Sequence, residues 1–402
     1  MLRLSLIAAA VAFDLCKSAS AGFTKSSADN VAVYWGQNSY GQSGGPYAQQ
    51  RLAYYCSGKA YPSCRLVLSA AHLNLDTSID IIPLAFLTSI ADPAAVNFAN
   101  AEANCTTFSG TALLSCPQIE QDIETCQSTY GKTILLSIGG SAYTQAGFSS
   151  PTTAAAAADG VWAMFGPPQV SSSASRPFGN AVVDGFDLDF ESAVPNAVSF
   201  ASQLRSHMDN ATSAGAKSFY LSAAPQCPYP DAADGEMLGG AVFFDFVMVQ
   251  FYNNPPCGLS SYQNGSATQS SFTVWDNWAR TVSKNPQVRV FLGMPGGETA
   301  AGSGYTAGST LGPILSALRR FSSFGGVMIW DMSQAYANAG FLGQVVSYLA
   351  PPQPAAANST TVPHSTTANT SYYISVSANA PLATEAIALS QWHEQRVAQL
   401  SA

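Results

Sequence analysis

Four carboxylates crowd into one short run, Asp184-Gly-Phe-Asp187-Leu-Asp189-Phe-Glu191. Acidic residues are depleted in strands, yet the run is otherwise apolar and strand-like. Side chains two apart on a strand share a face. Asp187, Asp189 and Glu191 therefore line one face, and Phe186, Leu188 and Phe190 fill the other. Asp184 is out of phase and reads as a structural or orienting residue at the strand's start. Three carboxylates at steps of about 6–7 Å repel one another, so at least one should hold a proton near neutral pH. Glu191, at the open end, is the natural general acid. A solvated charged face would not alternate with Phe-Leu-Phe. No histidine stands nearby to suggest a metal, and neither a metal nor a cofactor is expected.

The geometry restricts the chemistry further. A glycosidase ordinarily places two carboxyl groups on opposite sides of the bond it cuts. Asp189 and Glu191, on one face of one strand, cannot flank a bond in that way. A nucleophile would have to come from elsewhere, and an N-acetyl group on the substrate can provide it. The run DGFDLDFE resembles the DxxDxDxE signature of family 18 glycoside hydrolases, the chitinases and their relatives. Further runs resemble the class III, hevamine-like, plant-and-fungal subgroup: AVYWGQN at 32–38, LLSIGG at 135–140, LSAAPQCPYPD at 221–231, VQFYNNPPC at 249–257 and GGVMIW at 325–330. The match covers about residues 30–345.

That resemblance implies a retaining, substrate-assisted hydrolase of β-1,4-linked N-acetylglucosamine polymers. Residue by residue, it implies that Glu191 protonates the glycosidic oxygen. Asp189 would hold the acetamido nitrogen, Asp187 would tune Asp189, and Tyr252 would donate its hydroxyl to the acetamido carbonyl. Gln250 and Asn253 would line the subsite, Trp330 would form its floor, and Tyr34 would sit beside the carboxylates. Catalytic Glu191, Asp189 and Tyr252 are all present, which disfavours the binding-only lectins and inhibitors of the same barrel family. An endo-β-N-acetylglucosaminidase acting on N-glycans would share the carboxylate signature but not VQFYNNPPC. The resemblance also implies the pairs Cys56–Cys126, Cys105–Cys116 and Cys227–Cys257, with Cys64 unpaired in a segment at 57–78 that looks inserted.

The elements that must position these residues recur along the chain. Apolar runs at 30–37, 80–87, 133–138, 181–191, 218–224, 244–252, 288–294 and 326–331 are rich in β-branched and aromatic residues. Most are near-continuously apolar, as strands buried on both faces should be. Between them, stretches such as 194–214 and 311–321 carry apolar residues at helical spacing. Eight such units fit an α/β (β/α)8 barrel, with active residues at the strands' C-terminal ends. An open doubly wound sheet is the alternative, but no glycine-rich phosphate loop follows the first strand. Only a loop and one helix fit between 294 and 326, so an open, shallow cleft is expected.

Composition agrees. The net charge is −8 and only 10% of residues are charged, against about a quarter in an average soluble protein. No basic run offers a nucleic acid or an anionic membrane a partner. Residues 1–21 read as a signal peptide: Arg3, an apolar stretch at 4–13, then Ala19-Ser20-Ala21 before Gly22. That stretch is too short to span a bilayer. Export would leave seven cysteines in an oxidising compartment once Cys16 is removed, and spacing alone leaves their pairing open. Residues 22–350 should form the barrel, and 351–402 a Pro/Ser/Thr-rich linker and tail with one short helix near 384–400. Sequons occur at Asn104, Asn210, Asn264, Asn358 and Asn369. The expectation is a secreted monomer, free or held at a cell wall, whose partner is chitin or chitooligosaccharides.

Overall fold

Eight parallel strands close on themselves. They are β1 (Asn30–Val33), β2 (Ile81–Ser89), β3 (Thr133–Gly139), β4 (Gly185–Asp189), β5 (Tyr220–Ala223), β6 (Phe246–Gln250), β7 (Arg289–Pro295) and β8 (Phe324–Trp330). Each strand pairs in parallel with the next. The ring closes where β8 pairs with β1, Asn30 facing Gly326 and Val33 facing Ile329. This closure makes the sheet a (β/α)8 barrel and removes the open-sheet alternative. The computed structural model describes residues 22–57, 79–91, 93–145, 147–170, 172–261 and 267–350. The expectations for 1–21, Cys16, the segment around Cys64, Asn264, Asn358, Asn369 and the 351–402 tail lie outside these residues.

The helices are α1 (Leu52–Cys56), α2 (Pro117–Ser128), α3 (Pro151–Phe165), α4 (Ala197–Ser213), α5 (Ala267–Thr281), α6 (Gly308–Leu318), α7 (Met332–Ala337) and α8 (Phe341–Leu349). Their starts follow local chemistry. Ser150 and Thr153 form a reciprocal capping box, and Pro151 opens α3 where no donor is needed. Helix α4 buries Ala197, Phe200, Ala201, Leu204 and Met208, a single stripe at three- and four-residue spacing. No helix among the described residues is long and apolar enough to cross a membrane.

Alternation along the strands builds two cores. Val31, Val33, Ile134, Leu136, Phe186, Leu188, Val247 and Val249 point outward into the layer shared with the helices. Ala32, Tyr34, Leu135, Phe246, Met248, Phe291 and Met328 point inward and fill the barrel. Phe23 seals the N-terminal end of this interior. Its backbone N–H donates to Thr133 Oγ1 at 2.8 Å. Its ring packs on Phe246 at 4.5 Å and Tyr220 at 5.1 Å between centroids. Three disulfides pin the outside: Cys56–Cys126, Cys105–Cys116 and Cys227–Cys257. The first ties α1 to α2, and the last ties the loop after β5 to the loop after β6.

Candidate active site

Register, rather than sequence proximity, assembles the site. Asp187 on β4 faces Ser137 on β3 and Ser222 on β5. All three residues are fully buried and lie in one row across neighbouring strands. Ser137 Oγ donates to Asp187 Oδ2 and Ser222 Oγ to Oδ1, each at 2.7 Å. Tyr34, from just past the end of β1, donates its hydroxyl to Asp187 Oδ2 at 2.6 Å. Burial pushes the Asp187 carboxyl up, and these three hydroxyl donors pull it back.

Asp189, one step nearer the mouth, is 4% exposed. Gln250 Nε2 donates to its Oδ1 at 3.0 Å, and the same amide donates to the Ala224 carbonyl. Burial first, then repulsion from Asp187, Glu191 and Asp231, holds its pKa well above the usual carboxylate range. With fewer donors than Asp187, Asp189 has its protonated form the more strongly favoured of the two. Gly139 faces Asp189 across the β3–β4 pair, with φ of +124°. A Cβ there would meet the Asp189 carbonyl oxygen at 2.1 Å, so the position requires glycine.

The strand read at 181–191 is ordered only from Gly185 to Asp189. The reason lies in its neighbours: β5 offers partners as far as Leu188, and β3 ends opposite Asp189. Glu191 therefore stands two residues beyond the strand end and is exposed. Partial desolvation still raises its pKa, which favours the protonated acid. Tyr252 lies two residues past β6, is 7% exposed, and has its hydroxyl kept protonated by burial and by Asp189, Glu191 and Asp187. Gly304 (φ +98°) lets the loop after β7 press on it, where a Cβ would meet Tyr252 Cβ at 2.8 Å.

Trp330 ends β8, partly buried. It stacks on Phe86 at 5.9 Å and tilts against Tyr34 at 5.5 Å. Asn253, at φ +61°, is exposed. Its Oδ1 accepts the N–H groups of Gly302 and Ser303 at 2.8 and 3.3 Å, so this carbonyl holds the loop after β7. Asp184 behaves as the out-of-phase residue should. It accepts the Ile134 N–H and Gln127 Nε2, and pairs with Lys217 at 2.7 Å.

Sequence reasoning overlooked four polar groups here. Ser137 and Ser222 sit inside the quoted runs, and their two-residue phase with apolar inward neighbours could have marked them. Asp231 sits within LSAAPQCPYPD and accepts three backbone N–H groups, from Gln226, Ala233 and Asp234. Asp234 is completely buried, and neither carboxyl oxygen has a partner among the described residues. Burial, then Asp231, Asp189 and Asp187, raises its pKa well above normal. Beside this group lies a cavity of about 540 Å³, lined among others by Val194, Pro195, Asn196, Asp231, Glu236 and Met237. A hollow of about 800 Å³ around Lys217 and Phe23 lies at the opposite end of the barrel.

The pattern of Glycosyl hydrolases family 18 matches residues 30–310. The chain belongs to family 18. Endochitinase 33 of Trichoderma harzianum is 48% identical over 348 residues, which is 86% of this chain and 99% of that protein. A class III chitinase of Arthroderma benhamiae is 45% identical over 335 residues, covering 82% and 88%. Among solved structures, a xylanase and alpha-amylase inhibitor protein from Scadoxus multiflorus superposes with a TM-score of 0.60 at 28% identity, covering 79% of this chain and 98% of that one. The same barrel fold thus also carries a protein named for inhibition, so the fold by itself decides no activity. The side chains at the mouth must do so.

Proposed function

We propose that this family 18 chain is an endochitinase that hydrolyses β-1,4 linkages between N-acetylglucosamine units by a retaining, substrate-assisted reaction. The observation that carries the reading is the one-sided carboxylate row. Asp187, Asp189 and Glu191 come from one strand and the two residues after it, with no opposing carboxyl required. Glu191, exposed and with its pKa raised, donates its proton to the glycosidic oxygen as the C–O bond breaks. The substrate's acetamido oxygen attacks the anomeric carbon from the other side and forms a bicyclic oxazolinium ion. Asp189 holds the acetamido nitrogen, while Tyr252 donates to the acetamido oxygen and so aims it. Asp187, fixed by three hydroxyls, supplies the negative charge that keeps Asp189 responsive. Water then attacks the anomeric carbon and opens the ion, as the Glu191 carboxylate accepts a proton from that water. Two inversions give net retention.

Trp330, Gln250 and Asn253 frame the sugar at the cleavage point. Residues 22–350 are the catalytic unit, following a removable leader and preceding a Pro/Ser/Thr-rich extension. Secretion follows from that leader, and the enzyme acts as a monomer on chitin outside the cell. The test is product stereochemistry. NMR of the first product from chitooligosaccharides should show the β-anomer, and cellulose oligomers and fully deacetylated chitosan should stay intact. An initial α-anomer, or rapid cutting of cellulose oligomers, defeats the mechanism. Cutting of N-glycoproteins in preference to chitin would favour the endo-β-N-acetylglucosaminidase reading.

A further inference from the structure

Few large apolar side chains of the described residues face solvent. Among the described residues they are Tyr40, Tyr47, Val170, Tyr229 and Val274. Two of them are neighbours: the rings of Tyr40 and Tyr47 lie 5.8 Å apart at 68°. They are 37% and 43% exposed, and neither belongs to the hydrophobic cores. An aromatic pair that leaves over a third of each residue in water contributes less to folding than a core pair. Its position needs another explanation.

The loop that carries the pair is stiff. Asn38 Nδ2 donates to the Gln42 carbonyl, and Asn38 Oδ1 accepts the Gln49 N–H, both at 2.9 Å. Gln49 Oε1 in turn accepts the Gly36 and Asn38 N–H groups at 2.7 and 3.2 Å. Gln50 Nε2 ties down the carbonyls of Gly45 and Ala48. The two tyrosines are therefore presented by a fixed frame. Between them Gly41, Gly44 and Gly45 leave the surface bare, since a Cβ at each would meet nothing within 4 Å.

The frame is also latched to the active-site rim. The Ser39 N–H donates to Asp331 Oδ2 at 3.1 Å, the Tyr40 N–H to Ser333 Oγ at 3.0 Å, and Gln334 Nε2 to the Ser39 carbonyl at 3.2 Å. Asp331 directly follows Trp330. The tyrosine pair thus stands on the same rim as the tryptophan at the cleavage point, on the β1–β8 side of the mouth.

We propose that Tyr40 and Tyr47 form an additional sugar platform, which holds a chitin chain away from the carboxylates and so favours long polymer over short oligomers. This rests on the reading of the chain as a chitinase. The chemistry of the loop fits that ligand. Residues 38–50 contain no charged side chain, only amides, hydroxyls, small residues and the two tyrosines. That set suits a neutral, hydroxyl-rich polymer with apolar ring faces, and offers nothing to a phosphate or an acidic peptide. Aromatic rings bind such faces with large contact area at low entropic cost.

The test compares binding in a Glu191→Gln background, where bound chain is not cut. Tyr40→Ala/Tyr47→Ala in that background should bind insoluble chitin roughly tenfold more weakly, a loss of about 1.4 kcal/mol. The deficit should shrink as the ligand is shortened to a few sugars. Tyr40→Phe/Tyr47→Phe keeps the ring faces and should retain most of the affinity. An unchanged melting temperature shows that the alanine variant is folded. Wild-type affinity for polymer in the alanine variant, or a deficit equal at every ligand length, overturns the platform. Absence of any hydrolysis by the unmutated chain would instead overturn the enzymatic reading, while the binding comparison still decides the role of the tyrosines.

Discussion

Asp187 and Asp189 are the same residue type two positions apart, and their partners give them different work. Asp187 accepts three hydroxyl hydrogen bonds, while Asp189 accepts from Gln250. On the proposed mechanism Glu191→Gln should be the costliest change, lowering turnover by at least about 10²-fold while chitin binding persists. Asp189→Asn and Tyr252→Phe should act mainly on kcat, because the contacts proposed for them strengthen as the acetamido group attacks. A change confined to KM would reassign either residue to simple binding. Asp234 offers a separate test through pH. Its folded pKa is raised, so the native state keeps a proton that the unfolded chain releases above about pH 4. The resulting cost is absent in acid and grows as pH rises toward the folded pKa. Asp234→Asn should therefore melt like wild type below about pH 4 and at a higher temperature at neutral pH. A gap that is constant across pH would exclude this account. The carboxylates were legible because alternation along one strand reveals a face. Ser137 and Ser222 share that phase, but their placement opposite Asp187 was not readable, because which residue faces another is fixed only when the sheet closes, and Asp234 lies in the loop after β5, where no strand period reveals a face.

Elements explain why a few loops matter more than others. The Cys227–Cys257 bond spans 30 residues and joins the loops that hold Gln226 and Tyr252. Cys105–Cys116 spans 11 residues and closes a small ribbon of Thr106–Thr107 against Leu114–Ser115. Loop closure makes their stabilities comparable, about 3–4 and about 3 kcal/mol. Their effects on activity should differ. Replacing Cys227 and Cys257 by serine should reduce kcat/KM as well as thermal stability. The same change at Cys105 and Cys116 should lower the melting temperature alone, and equal losses of activity would contradict the assignment of loop roles. Strand existence was readable from apolar, β-branched runs, but strand ends were not. The run at 181–191 looks continuous, yet β4 stops at Asp189 because its neighbours run out of partners. Asn253 shows the same limit, since its hydrogen bonds to Gly302 and Ser303 join residues about fifty apart.

At the scale of the molecule, the eightfold alternation was visible in the sequence because each buried strand leaves an apolar run. Closure was an inference from number, and the β1–β8 register supplies it. The barrel's last helix ends at Leu349, so a chain ending at Ala350 should fold and cut soluble chitooligosaccharides at the full rate. Loss of folding in that truncated chain would assign the extension a structural role.

The side chains that fill the barrel, capped at its far end by Phe23 against Tyr220, Phe246 and Phe291, leave only a blind well at the mouth. Nothing can be threaded through it. A polymer must lie across the rim and dip one sugar toward Asp189, and both fragments must depart by the opening through which the substrate came. Traffic at that single doorway, rather than passage along a tunnel, then governs how often one enzyme molecule strikes the same chain.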